Sequence, residues 1–144
     1  MLDANILVYA VEAGAPQHAI SRALIEAARD PATALYLTSQ VLCEFYSVVT
    51  NPRRVAAPRS PAEAVDAISA LLALPGIRVL PTPASAVAGW MALLQRHPVT
   101  GGDVFDLQLV ATMQASGIHQ IYTFNTRDFA VFPELTAITP PEGA

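Results

Sequence analysis

Lysine is absent from this sequence and cysteine occurs once. A lone Cys43 cannot close an internal disulfide, and it cannot supply the paired thiolates of a structural zinc site. Its ordinary role is that of a small buried hydrophobe. Charged residues make up only 14% of the chain, whereas apolar and aromatic ones make up 53%, which excludes a disordered polyelectrolyte. Long apolar runs are missing too. The most apolar segments are broken by Pro, Gln, Arg or Asp before they reach membrane-spanning length. No basic stretch precedes an apolar run at the start, where Asp3 follows Met1-Leu2. A signal peptide is therefore not expected, and a cytoplasmic location is. Also missing are a Gly-rich phosphate loop, a Gly-x-Ser-x-Gly elbow and a candidate nucleophile triad.

The 144 residues that are present suit one domain, spanning residues 1–144, with ample material for a single core. Net charge is −4, which opposes bulk affinity for nucleic acid. All eight cations are Arg, and Arg53, Arg54 and Arg59 cluster in one Pro-rich segment. Arg grips phosphate through two parallel hydrogen bonds, so these three are candidate RNA contacts beside the simpler reading of a solvated loop. His18 and His119 read as surface positions, and His97 precedes Pro98 at a helix end, where a favourable dipole contact is the commoner role.

Along the chain, Leu2 to Val11 reads as a strand end running into a helical turn, and Pro16 to Arg29 as a helix stopped by Asp30-Pro31. Leu35 to Leu37 is a short strand. Thr38 or Ser39 then caps a helix reaching Thr50, with a stripe of Val41, Leu42, Phe45, Val48 and Val49. Ser60-Pro61-Ala62-Glu63 is a capping box with Pro at the first helical position, and Pro75-Gly76 ends the helix it opens. Ile77 to Leu80 is a strand. Thr82-Pro83 opens a helix expected to bury Val87, Trp90, Met91 and Leu94. Asp103 is expected to cap a helix running to Ser116, with Gly117 as its left-handed terminator. Gln120 to Phe124 and Ala137 to Thr139 read as strands around a turn at Asp128 to Phe132. Short strands alternating with longer helices predict an α/β fold, three-layer α/β/α, with a short central parallel sheet flanked by helices.

In such sheets ligands sit beyond the carboxyl ends of the strands. Asp3, with Asn5 two residues on, follows the first strand. Glu44 falls at the rim of an apolar helix stripe beside Gln40, Ser47 and Asn51. Asp106 sits one turn into a helix that is apolar nearly all round, and Asn125 and Asp128 follow the strand that ends near Thr123. Each has an ordinary explanation: Asp3 and Asp103 as caps, Glu44 as a solvated edge, Asp128 as a turn cap. Together they gather carboxylates on one side of the sheet, where mutual repulsion calls for a cation. Carboxylates without His or Cys favour a hard, oxygen-loving ion, Mg²⁺ or Mn²⁺, and such a site suits phosphodiester hydrolysis.

The opening LDANILVYA, the central CEFYSVV and the late FDLQLVATMQASGIHQIYTFNTRDF together resemble PIN-domain ribonucleases, especially VapC-like toxins of toxin–antitoxin pairs. The resemblance spans nearly the whole chain in the right order. It implies an Mg²⁺-dependent endoribonuclease with Asp3, Glu44 and Asp106 as catalytic acids, Asp3 and Asp106 holding the metal. Asn5 and Thr123 match residues that orient the carboxylates. It further implies an RNA substrate, an antitoxin partner and a homodimer, the last also suggested by so apolar a composition in so short a chain. The sequence departs from the family pattern at its fourth acid, where Asn125 stands with Asp128 close behind, and the chain opens so near Asp3 that little room is left for a full first strand. A non-catalytic PIN-like module that binds RNA or protein is the alternative, disfavoured because all three central acids are present. A phosphatase with Asp3 as nucleophile fits poorly, since Asn5 replaces the second Asp and no Lys exists.

Overall fold

A computed structural model of the chain describes residues 1–142. Its elements run α1 (Ala4–Val11), α2 (His18–Glu26), β1 (Leu35–Thr38), α3 (Ser39–Val49), α4 (Pro61–Leu72), β2 (Ile77–Leu80), α5 (Ser85–Arg96), α6 (Val104–Ala115), β3 (Gln120–Tyr122), α7 (Thr126–Phe129) and β4 (Thr136–Ile138). Single 3₁₀ turns at Ala27–Arg29 and Gly101–Asp103 join α2 and α6.

The strands pair in parallel, β1 with β2 and β3 with β4. Residues 1–3 join the two pairs. Leu2 N–H donates to the Tyr36 carbonyl on one side at 2.9 Å. On the other side Tyr122 N–H donates to Met1 at 2.9 Å, and Asp3 N–H donates to Tyr122 at 3.0 Å. The spatial order is therefore β2, β1, residues 1–3, β3, β4, with the opening residues in the middle of the sheet. The mixed α/β architecture with a small parallel sheet is as the alternation predicts. The first strand is shortened to one bridge at Leu2.

The core follows from the apolar spacing. Leu2, Leu37 and Ile121 are fully buried on three neighbouring strands. In α6, Leu107, Leu109, Val110, Ala111, Thr112 and Met113 are all buried, as expected of a helix without a polar face. It packs against α5, while α1 packs against α2 and α3. Among the described residues no helix is long and apolar enough to cross a membrane.

Several local signals are realised. Thr38 Oγ1 accepts from Val41 N–H and caps α3. Ser60 and Glu63 form the reciprocal capping box of α4, and Gly117 adopts φ 69° at the end of α6. Three expectations need correction. Cys43 is exposed rather than buried, because α3 turns Val41, Phe45 and Val49 to the core instead. The buried residues of α5 are Ala86 and Leu93, with Trp90 and Leu94 half-buried beside them, while Val87 and Met91 are 55% and 53% exposed. The helix is turned by about one residue from the predicted face because apolar side chains occupy both sides of it. Asp103 does not cap α6. It already has helical φ −64° and ψ −17° within the 3₁₀ turn, so its carboxylate makes no capping bond.

Gly76 stands where no side chain fits. Its N–H donates to the Ala28 carbonyl at 2.7 Å, and an added Cβ would lie 2.8 Å from the carbonyl oxygens of both Ala28 and Thr33. These atoms are backbone and cannot swing away. Gly76→Ala is expected to cost about 1–3 kcal/mol through overpacking. Gly14→Ala, with nothing within 4 Å of the added carbon, is the neutral control. Urea denaturation of the two variants checks this, with a midpoint shift for Gly76→Ala alone.

Candidate active site

Asp3 closes the central strand and begins α1, which places its carboxylate at the carboxyl end of the sheet. It is only 9% exposed. Its Oδ2 accepts from the Thr123 hydroxyl at 2.7 Å and from the Asn5 amide at 2.9 Å. The Asn5 amide also donates to Thr123 Oγ1 at 3.1 Å, and Asn5 Oδ1 accepts from Phe124 N–H at 3.4 Å. Thr123 is fully buried and lies just past β3, whose pairing with residues 1–3 brings it beside Asp3. Asn5 and Thr123 thus clamp one carboxylate oxygen of Asp3. Burial raises the Asp3 pKa, and the Thr123 hydrogen bond opposes that rise.

Glu44 lies on α3, half-buried at the edge of the apolar stripe. Its Oε1 accepts from the Gln40 amide at 2.7 Å. The same Gln40 nitrogen donates to the Phe105 carbonyl at 2.8 Å, which ties α3 to the first turn of α6. Gln40 was visible in the sequence as a neighbour of Glu44 on the helix rim, where an i,i+4 Gln–acid pair is a known stabilising arrangement. Its second bond depends on tertiary packing and carries no local signal. Burial raises the Glu44 pKa, Gln40 counters that, and the charge of Asp3 raises it further.

Asp106, in the first turn of α6, is the most perturbed of the three. Its pKa rises to about 7, first through burial and then through the charges of Asp3, Asp128, Glu44 and Asp103. A helix N-terminus lowers carboxylate pKa values. Here burial and like charge override that preference, which a simple helix-start acid would not show. The charge of Asp128 also raises the Asp3 pKa. Asn125 and Asp128 are both exposed. The Asn125 side chain makes no cap bond to α7, although its N–H donates to Thr123 Oγ1 at 3.0 Å. Asp103 is exposed and contributes through its charge. Among the described residues no three His, Cys, Asp or Glu side chains stand close enough to enclose an ion as placed. The acids share a field without forming a ready-made coordination shell.

The arginine cluster is split. Arg53 and Arg54 are exposed in the loop after α3. Arg59 is half-buried, and its guanidinium donates to the Val11 carbonyl at 2.9 Å, satisfying the end of α1. That bond makes Arg59 a structural clip between α1 and the segment after α3.

A family model described as the PIN domain matches residues 1–135. The chain belongs to the PIN-domain family. This PIN domain is similar to ribonuclease VapC43 of Mycobacterium tuberculosis, 38% identical over 114 residues, covering 76% of this chain and 75% of the relative. It is also similar to ribonuclease VapC48 of the same species, 30% identical over 145 residues, covering 98% of this chain and 97% of the relative. Among solved structures, VapC20 of M. tuberculosis, a sarcin-ricin-loop-cleaving toxin, superposes with a TM-score of 0.67 at 22% identity over 91% of this chain and 93% of that one. VapBC2 of Rickettsia felis, bound to a DNA fragment from its promoter, gives 0.65 at 19% identity over 96% of each chain. At those identities the two structures bear on the fold alone.

The raised carboxylates set the sign of a pH dependence. Between its unfolded value of about 4 and its folded value, Asp106 is protonated in the folded PIN domain and ionised in the unfolded chain. This contribution to stability is fully present below about pH 4 and is lost as pH rises through about 7. Without divalent metal, urea midpoints of the wild type should fall across that window. Asp106→Asn should flatten the fall and be no less stable at pH 7.5, and a variant clearly less stable there would mean that a dipole contact was lost instead.

Proposed function

We propose that this PIN domain is an Mg²⁺-dependent endoribonuclease, the toxin half of a toxin–antitoxin pair, hydrolysing RNA phosphodiester bonds with water as nucleophile. The observation that carries the reading is the buried Asp3 carboxylate held by Thr123 and Asn5 at the carboxyl end of the sheet. With it go Glu44 and the first turn of α6 that bears Asp106, joined through Gln40, and the pKa of each acid is raised by burial and by charges of the same sign. An all-oxygen donor set without His or Cys fits a hard divalent ion, Mg²⁺ or Mn²⁺. Asp3 and Asp106 are the residues that would hold it, with Glu44 assisting directly or through water. When bound, such an ion neutralises phosphate charge and makes water a competent nucleophile near neutral pH. The protein's own part is positional. Thr123 and Asn5 fix Asp3 by one oxygen, and Gln40 fixes Glu44 against α6. Asp128 and Asp103 add negative field that strengthens attraction for a cation.

An antitoxin partner and a homodimer belong to the same reading. A cavity of about 260 Å³ lined by Leu7, Ala10, Ile25, Phe45, Leu71 and Leu74, with Arg22 and Arg29 at its edge, offers an apolar seat for a partner helix. Exposed Val87 and Met91 on α5 offer apolar surface for a second copy. Arg53 and Arg54 remain candidate phosphate contacts, and the cytoplasm is the compartment that fits such a pair.

Asp106→Asn is the direct test. Cleavage of single-stranded RNA in Mg²⁺ should fall by orders of magnitude, and EDTA should abolish cleavage by the wild type. A variant that cuts like the parent would remove Asp106 from the chemistry and leave the non-catalytic reading in its place.

A further inference from the structure

Resting on the ribonuclease reading, we propose that Phe105 is the stacking platform for an RNA base beside the acid centre, and so a substrate-positioning and specificity-determining residue. Phe105 is 49% exposed. Among the described residues it is the one aromatic side chain that is exposed; the other large exposed hydrophobics are all Val, Leu or Met. About half of its surface is open to solvent, more than a core-filling role requires. Its place is also specific. It immediately precedes Asp106 in the first turn of α6, and its carbonyl accepts the Gln40 amide that also holds Glu44. The backbone that carries the ring is thereby braced between two of the proposed catalytic acids, and a rigid support is what a positioning residue needs.

The charge distribution gives the ring a task. The segments bearing Asp3, Glu44, Asp103, Asp106 and Asp128 carry one cation, Arg127. Arg59 is bonded to Val11, Arg22 and Arg29 pair with Glu26, Arg53 and Arg54 follow the far end of α3, Arg78 lies in β2 and Arg96 ends α5. A phosphate backbone approaching the metal-free centre meets net negative charge. Without the ion, attraction there must therefore come largely from the uncharged part of the substrate. Every base has a π face, and stacking on an exposed aromatic ring is the sequence-tolerant way to hold single-stranded RNA.

The test uses short single-stranded RNA carrying 2-aminopurine, whose fluorescence is quenched by stacking, titrated with the protein in EDTA. Wild type should bind and quench. Phe105→Ala should weaken binding about tenfold or more and abolish the quench, Phe105→Trp should restore both, and Phe105→Leu should restore neither. In Mg²⁺, Phe105→Ala should raise KM for cleavage by a similar factor with kcat changed far less, and an abasic nucleotide at the stacked position should abolish the difference between variant and parent. Unchanged binding and quench in Phe105→Ala would overturn the proposal while leaving the ribonuclease reading intact. Equal rescue by Leu and Trp would also overturn it, marking a plain apolar contact such as a protein interface. A parent that quenches but never cleaves would sink the ribonuclease reading and leave the stacking platform standing.

Discussion

Asp3 holds a carboxylate where water scarcely reaches, and the Thr123 hydroxyl and Asn5 amide are what make that burial tolerable. The three residues belong to the central strand, the start of α1 and the end of β3, so the clamp is also the seam of the sheet. Parallel pairing of Leu2 with Tyr122 brings residues 1–3 beside β3, and the polar bonds fix their register just beyond the last ladder bond. Loss of either donor would leave a buried acceptor short of a partner and loosen the junction between the two strand pairs.

From that seam the electrostatics spread outward. Glu44 and Asp106 come from different helices, tied together by one Gln40 amide. Each added carboxylate raises the pKa of its neighbours, most of all at Asp106. The folded protein therefore stores repulsion at one end of its sheet, a cost that stability alone does not explain and that a bound cation would offset. Site and fold are coupled in this way: the parallel order that buries Leu2, Leu37 and Ile121 also collects the acids at the strand ends.

The sequence carries different parts of this at different strengths. The capping box at Ser60–Glu63 was legible from four residues because every bond in it is local. The burial of α6 was legible from a helix with no polar face. Asp3, Glu44 and Asp106 were individually ambiguous, since a cap, a solvated rim and a helix-start acid look alike over a few residues. The ordered set of motifs brought them together, and the site geometry adds the clamp at Asp3. The exposed side of α5 is not legible because apolar side chains, Val87 and Met91 among them, occur on both sides of the helix, and only packing on α6 decides which side is covered. Asp103 looks like a cap in sequence because the 3₁₀ turn begun by Gly101 at φ 59° has no distinct sequence signal. Arg59 looked like its neighbours Arg53 and Arg54 until the Val11 carbonyl claimed it.

If a divalent cation binds among these like-charged, partly protonated carboxylates, it must displace protons from them, and that release can be counted. Calorimetric titration of Mn²⁺ into the metal-free protein, repeated in buffers of different ionisation enthalpy, counts the protons expelled. About one proton should be released per ion at pH 6, where Asp106 is largely protonated, and almost none at pH 8.5. Mn²⁺ binding with no proton release at pH 6, or no binding at either pH, would contradict that expectation.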